Sequence, residues 1–160
     1  MNIRNAKIQE GPLLAHIEEV CFPPAEAASR EQVLERIQVF SENFFVAELD
    51  GVVVGFINGA NTDSPVLPDE MYHDVSLHRP EGDYQTVFGL NVLPEYRRQG
   101  IGEQLVRHYV EAARERGRKG VILTCKEQKI HFYEKIGFSC RGVAESSHGG
   151  AVWYAMELIF

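Results

Sequence analysis

No run of apolar residues in this 160-residue chain approaches the length of a membrane span, and Met1-Asn2-Ile3-Arg4 carries no apolar signal region. These absences set the expectation of a cytoplasmic protein with no membrane partner. Cysteine is scarce. Cys21, Cys125 and Cys140 are the three present, and none stands at metal-ligand spacing. The odd count excludes a fully paired disulfide framework and fits buried thiols in a reducing compartment, with no metal expected. Basic residues are outnumbered, 16 Lys and Arg against 23 Asp and Glu, for a net charge of −7. Non-specific nucleic-acid binding needs a basic face, so no nucleic-acid partner is expected. Internal repeats and low-complexity segments are missing too. What remains is 44% hydrophobic and 24% charged, the balance of a globular protein, at a length suited to one domain over residues 1–160.

Against that acidic background one basic stretch stands out. Asn91-Val92-Leu93-Pro94-Glu95-Tyr96-Arg97-Arg98-Gln99-Gly100-Ile101-Gly102-Glu103 reads as a strand end, an arginine-bearing loop, two glycines one residue apart, and a helix. A helix start of this kind exposes backbone N–H groups. Those donors, the positive end of the helix dipole and the guanidinium groups together favour a bound anion. A plain left-handed turn into a helix would look the same, so the spacing alone leaves both readings open.

The rest of the chain alternates strands and helices. Residues 2–8 alternate apolar and polar, as a first strand does. Gly11-Pro12 opens a helix whose apolar face is marked by Leu13, Leu14, Ile17 and Val20, and Phe22-Pro23-Pro24 stops it. Ser29-Arg30-Glu31-Gln32 fits a capping box for a second helix carrying Val33, Ile37 and Phe40. Residues 44–49 and 52–57, joined by Asp50-Gly51, form a hairpin, because Asp-Gly supplies the positive φ values of a two-residue turn. A long polar loop is expected from Asn61 to Asp83, either functional or a surface excursion.

Tyr84 to Leu93 reads as one strand in which Gly89 and Asn91 share a face. Both are poor strand formers, so that face turns toward a cavity or a bulge. The helix after the glycine loop is amphipathic and ends near Gly117. Residues 121–125, 138–143 and 151–160 read as strands, and 129–135 as a short helix closed by Gly137. The order implies an α/β (α+β) domain with a largely antiparallel sheet and a βαβ crossover around the glycine loop.

Arg97-Arg98-Gln99-Gly100-Ile101-Gly102 resembles the Q/R-x-x-G-x-G/A loop of the GNAT superfamily of acyl-coenzyme A N-acyltransferases, in the strand–loop–helix context that family requires. His131-Phe132-Tyr133-Glu134-Lys135-Ile136-Gly137-Phe138 resembles the family's late F/L-Y-E-K-x-G-F segment. Two motifs in the right order are far more specific than either alone. A narrower resemblance is to the arylalkylamine (serotonin) N-acetyltransferase branch and its bacterial relatives. It rests on Ser76-Leu77-His78-Arg79 with Gly82 and on Cys21-Phe22-Pro23-Pro24-Ala25-Glu26-Ala27-Ala28-Ser29.

The resemblance implies a mixed, mostly antiparallel central sheet with a splayed strand pair and flanking helices. It implies acetyl-CoA as cosubstrate and direct transfer of the acetyl group to a primary amine of a small molecule. Arg97, Arg98, Gln99, Gly100, Ile101, Gly102 and Glu103 would hold the coenzyme A pyrophosphate, chiefly through backbone N–H groups. Leu90, Asn91 and Val92 would pair with the pantetheine arm, and Tyr133 would protonate the leaving thiolate.

The chain departs from the branch at one point. The animal enzymes carry two histidines on the strand before the loop that relay the amine proton, and the matching positions here are Gly89 and Asn91. Asn91 could still orient a water. A base would otherwise come from Glu26, Glu70, His73, Asp74 or His78, and the acidic groups Glu26, Glu70 and Asp74 with His73 are the candidates for acceptor binding. An acyl-cysteine route through Cys125 or Cys140 finds no support, since no histidine is tied to either by sequence. A coenzyme A-binding sensor or interaction module with little or no turnover is the alternative, and a homodimer is one of the assembly states the sequence leaves open.

Overall fold

The computed structural model describes residues 1–146 and 148–160. Its strands are β1 (Asn2–Asn5), β2 (Phe44–Leu49), β3 (Val52–Asn58), β4 (Asn61–Thr62), β5 (Tyr84–Val87), β6 (Gly89–Val92), β7 (Gly120–Cys125), β8 (Ser139–Val143) and β9 (Tyr154–Ile159). The α-helices are α1 (Gly11–Cys21), α2 (Arg30–Val39), α3 (Ile101–Glu115) and α4 (Ile130–Ile136). They build two sheets, of order β1-β2-β3-β6 and β4-β5-β7-β9-β8, antiparallel throughout except for the β5–β7 pair.

Local sequence signals account for much of this. Asp50 and Gly51 take φ values of 50° and 81°, and the hairpin closes between β2 and β3. The second helix is capped as its sequence predicts: Gln32 N donates to Ser29 Oγ at 3.1 Å, and Ser29 N donates to Gln32 Oε1 at 2.9 Å. Strand β2 is buried on both faces because α1 and α2 cover one side and α3 the other. Phe44, Val46 and Phe56 pack with Leu14, Ile17, Val33 and Ile37, while Phe45, Ala47 and Ile57 pack with Leu105, Val106 and Tyr109.

Four expectations need correction. The strand predicted over 84–93 is two strands in two sheets. Thr86 N donates to Ala60 O at 2.8 Å and Phe88 N to Asn58 O at 2.7 Å, so β3–β4 and β6–β5 cross together from one sheet into the other. Gly59 permits the crossing, since a Cβ there would lie 1.8 Å from Thr86 O. Past Phe88, β6 follows β3 while β5 remains with β7, and a cleft opens between β6 and the end of β7.

Second, the segment 61–83 is not a solvated excursion. It starts with β4, forms 3₁₀ turns at Asp69–Tyr72 and Val75–Leu77, and buries Leu67, Met71 and Tyr72 against Phe40 and Ile122. Third, the first and last strands are shorter than 2–8 and 151–160, ending at Asn5 and starting at Tyr154. Fourth, α1 sits in a different rotational phase. Leu13 and Val20 are exposed, and its inward face is Leu14, Ala15, Ile17 and the carboxylate of Glu18.

Candidate functional site

The cleft between β6 and β7 opens into a cavity of about 790 Å³. At one end lies the glycine loop. After a 3₁₀ turn at Pro94–Tyr96, Arg98 takes a positive φ of 64° and Gly100 one of 81°, so the chain turns sharply into α3. Among the described residues no side chain caps α3, and Gly100 is its N-cap residue. The first-turn N–H groups therefore lack an intrahelical or side-chain acceptor, and they open on the cavity beside Arg97, Arg98, Gly100, Ile101, Gly102 and Glu103. Lys126, Lys129 and Lys135 line the same cavity and add positive charge. Gln99 is exposed and outside the lining. Arg97 is tied down by its Nε, which donates to Val92 O at 2.9 Å.

The middle of the cavity is β6. One of its edges pairs with β3, and the other has no strand partner among the described residues. That edge can pair with an extended amide-bearing ligand. Leu90 and Val92 line the cavity, and a Cβ at Gly102 would meet them at 3.7 and 3.8 Å. Across the cleft, Thr124 and Cys125 of β7 and Tyr133 of α4 complete the walls.

Tyr133 is buried, edge-on to Phe132 and Phe138 at ring-centroid distances of 5.0 and 5.5 Å. Burial, with the Cys125 thiol next to it, raises its phenol well above the usual range, so the group stays protonated at neutral pH. Burial also pushes the Cys125 thiol up to about 12. A thiol so weakly acidic carries almost no thiolate near neutrality, which is the wrong state for a nucleophile.

The far end is walled by rings. Tyr72 stacks on His148 at 5.2 Å and an 11° interplanar angle, and Trp153 lies 5.8 Å from His148. His73 Nδ1 accepts from Gln32 Nε2 at 3.0 Å. Glu26 pairs with Lys126 at 2.7 Å. Glu26 and His73 thus line the cavity, whereas Glu70 and Asp74 are exposed outside its lining, and Asp74 instead caps the 3₁₀ turn at Ser76. His78 lies outside it too, fixed between Asn61 N at 3.0 Å and Glu42 Oε1 at 3.2 Å.

Sequence reasoning missed one residue at the centre. Glu18 is 4% exposed and lines the cavity. Its Oε2 accepts from Ala28 N at 3.0 Å, while its Oε1 is buried with no hydrogen-bond partner among the described residues. A methyl carbon built on Gly89 would lie 3.4 Å from Asn91 Nδ2, 3.7 Å from Glu18 Oε1 and 3.8 Å from Phe22 Cε2. Both polar atoms of the Asn91 side chain are likewise buried and unpaired, short of a formed hydrogen bond to Glu18 yet near enough to favour its ionised form.

Burial raises the Glu18 carboxyl above the usual carboxylate range, and the Ala28 N–H, the Arg36 guanidinium and the Asn91 amide pull it back. Arg36 is itself buried, with Nη2 donating to Tyr72 O at 3.0 Å and its guanidinium 4.8 Å above the Phe88 ring. The signal for Glu18 was in the sequence: Leu14, Glu18 and Cys21 follow the four- and three-residue steps of one helix face.

A model of the acetyltransferase (GNAT) family matches residues 12–138. The chain belongs to that family. Among GNAT-containing and other curated relatives, the serotonin N-acetyltransferase of Mesocricetus auratus is 28% identical over 109 residues, 68% of this chain and 51% of its own length. A Bacillus subtilis (strain 168) protein named "Probable hydrolase YhcX" is 28% identical over 142 residues, 83% of this chain and 27% of its own length. The chain therefore spans only about a quarter to a half of these relatives. A solved structure titled "GphF GNAT-like decarboxylase in complex with isobutyryl-CoA" superposes with a TM-score of 0.85 at 21% identity, covering 99% of both chains. This GNAT fold agrees with the two-sheet architecture, in which β6 and β7 part at the cleft, and with its mostly antiparallel pairing.

Proposed function

We propose that this GNAT chain transfers the acetyl group of acetyl-CoA directly to a primary amine of a small molecule. The observation that carries the reading is the opening of three things on one cavity: the uncapped N-terminus of α3, the unpaired edge of β6, and the protonated phenol of Tyr133. The residues present fit the coenzyme. The α3 N–H groups with Arg97 and Arg98 suit a pyrophosphate, and the β6 edge around Leu90–Val92 suits the two amides of a pantetheine arm.

In this reading the coenzyme supplies an acetyl thioester. A β6 backbone N–H stabilises the oxygen as it gains negative charge. Tyr133, with no hydrogen bond to its phenol oxygen among the described residues, is free to donate to the departing sulfur. Its raised pKa makes it a reluctant acid, so the proton moves as the C–S bond breaks rather than before. Glu26 and His73 face the acceptor, and the rings of Phe22, Tyr72, His148 and Trp153 suit an amine with an apolar or aromatic body. The serotonin N-acetyltransferase match supports that class of acceptor.

Thiol release from acetyl-CoA in the presence of a panel of aromatic and aliphatic amines tests the reading. Amine-dependent release supports it. Tight coenzyme A binding with no release across the panel favours instead a coenzyme A-binding sensor or interaction module.

A further inference from the structure

The unpaired oxygen of Glu18 lies where a proton acceptor is needed and where the strand itself provides none. Gly89 and Asn91 hold the positions of β6 that face α1, and neither titrates near neutral pH. Gly89 has no side chain and lines the cavity with Glu18 and Phe22; a Cβ built on it would be in van der Waals contact with Asn91 Nδ2, Glu18 Oε1 and the Phe22 ring. A residue 4% exposed, anchored through one carboxylate oxygen to Ala28 N and with no partner at the other among the described residues, is costly to the fold unless a ligand completes it. An ammonium or amine at that point would do so.

We propose that Glu18, from the first helix, is the residue that receives the proton of the acceptor amine. This rests on the amine-acylation reading above. The steps balance as follows. Glu18 Oε1 takes one proton from the ammonium, leaving the nitrogen lone pair free. That lone pair forms the C–N bond to the carbonyl carbon. The C–S bond breaks with its electron pair passing to sulfur, which takes the Tyr133 proton. The second proton lost by nitrogen restores the Tyr133 phenol, and Glu18 releases the first to solvent.

The groups facing Glu18 set its readiness. Arg36 of α2 and His148 from the segment before β9 are the positively disposed neighbours, Asn91 of β6 contributes its amide, and Cys21 sits about one turn along α1. Arg36 is buried with no ion pair among the described residues, so its charge acts on Glu18 through a medium with little water.

The test uses 2-phenylethylamine with wild-type protein and Glu18→Gln. The amide oxygen of glutamine can still accept from Ala28 N, and thermal melting with coenzyme A affinity checks that fold and donor site survive. The expected result is a loss of kcat/KM for the amine of roughly 100-fold near pH 7, the usual worth of a positioned base. The acidic limb set by Glu18 gives way to a rise in rate that continues toward the amine's own pKa, where free amine is abundant, so the deficit shrinks in that direction. A deficit constant across pH, or a rate within threefold of wild type, overturns the proposal.

A second readout needs no turnover. The infrared carboxylate band that Glu18→Gln removes is followed as 2-phenylethylamine is added to coenzyme A-saturated wild type. A shift of that band without thiol release keeps Glu18 at the amine site and counts against the transfer reading alone. An unshifted band overturns the assignment of Glu18, whatever the rate.

Discussion

Gly100 and Gly102, separated by one residue, stand just before and just inside the start of α3, yet alanine should act on them in opposite directions. Gly100 has φ +81°, and the nearest heavy atom to a Cβ there is Gln104 Nε2 at 4.0 Å. A methyl group therefore meets no obstacle, and the whole cost is backbone. A non-glycine residue held in the left-handed region costs roughly 1–2 kcal/mol. For a chain of this size about 1 kcal/mol lowers Tm by roughly 2–4 °C. The loop can relieve the strain only by rotating the Arg98–Ile101 backbone, which turns the α3 N–H groups off the cavity. A loss of about 1.4 kcal/mol in binding is about tenfold in Kd.

Gly102 instead lies within α3, without positive φ, and a Cβ there would touch Phe132, Leu90 and Val92 at 3.6 to 3.8 Å, ordinary contact. Alanine in a helix interior is favoured over glycine by about 0.5–1 kcal/mol. Gly102→Ala is thus expected to melt higher than wild type and Gly100→Ala lower. Calorimetric titration with coenzyme A completes the comparison, with weaker binding for Gly100→Ala. A Gly100→Ala protein that melts lower but binds coenzyme A as wild type would refute the placement of the pyrophosphate on this loop.

Other outcomes follow from the same geometry. Tyr133→Phe should lower kcat by about 100-fold while KM for acetyl-CoA stays within about threefold, since the phenol oxygen acts on the leaving sulfur and not on binding; steady-state kinetics read both. Cys125, raised to about 12, should alkylate with iodoacetamide much more slowly at pH 8 than a free thiol, and rapid quenching should trap no acyl group on it by mass spectrometry.

Glu18 is raised on folding. The native state therefore binds its proton more tightly than the unfolded chain does, and its contribution favours the fold below the unfolded carboxylate pKa and is lost as pH rises through the native one. Glu18→Gln should remove that pH dependence, so its Tm relative to wild type should rise between about pH 4 and neutrality in a melting series.

What could be read from sequence was what is settled locally. The Asp50-Gly51 hairpin, the Ser29–Gln32 capping box and the turn into α3 each depend on residues within a few positions of one another, and each formed as expected. The split of residues 84–93 between two sheets was not legible. Alternation runs unbroken through Phe88, and the break depends on β3 and Gly59, which lie some 30 residues earlier in the chain.

The polar look of 61–83 hid Leu67, Met71 and Tyr72, whose burial depends on Phe40 and Ile122. Within the site, the glycine loop and Tyr133 were visible as motifs. Glu18 was not, because Leu13 and Val20 suggested a helix phase that left it outside, and its neighbour Gly89 is separated from it by most of the central chain. The aromatic wall of His148 and Trp153 was hidden for a similar reason: the segment reads as a turn, and only the stack on Tyr72 shows where it folds.

The central claim is that an acetyl group passes within this cavity from coenzyme A to an amine. A single-turnover reaction of excess protein with limiting acetyl-CoA and 2-phenylethylamine, quenched and analysed by mass, tests it most directly. One N-acetylated amine is expected for each free thiol formed, with no acetyl group left on the protein. Thiol formed without acetylated amine, or an acetyl group retained on the chain, would contradict it.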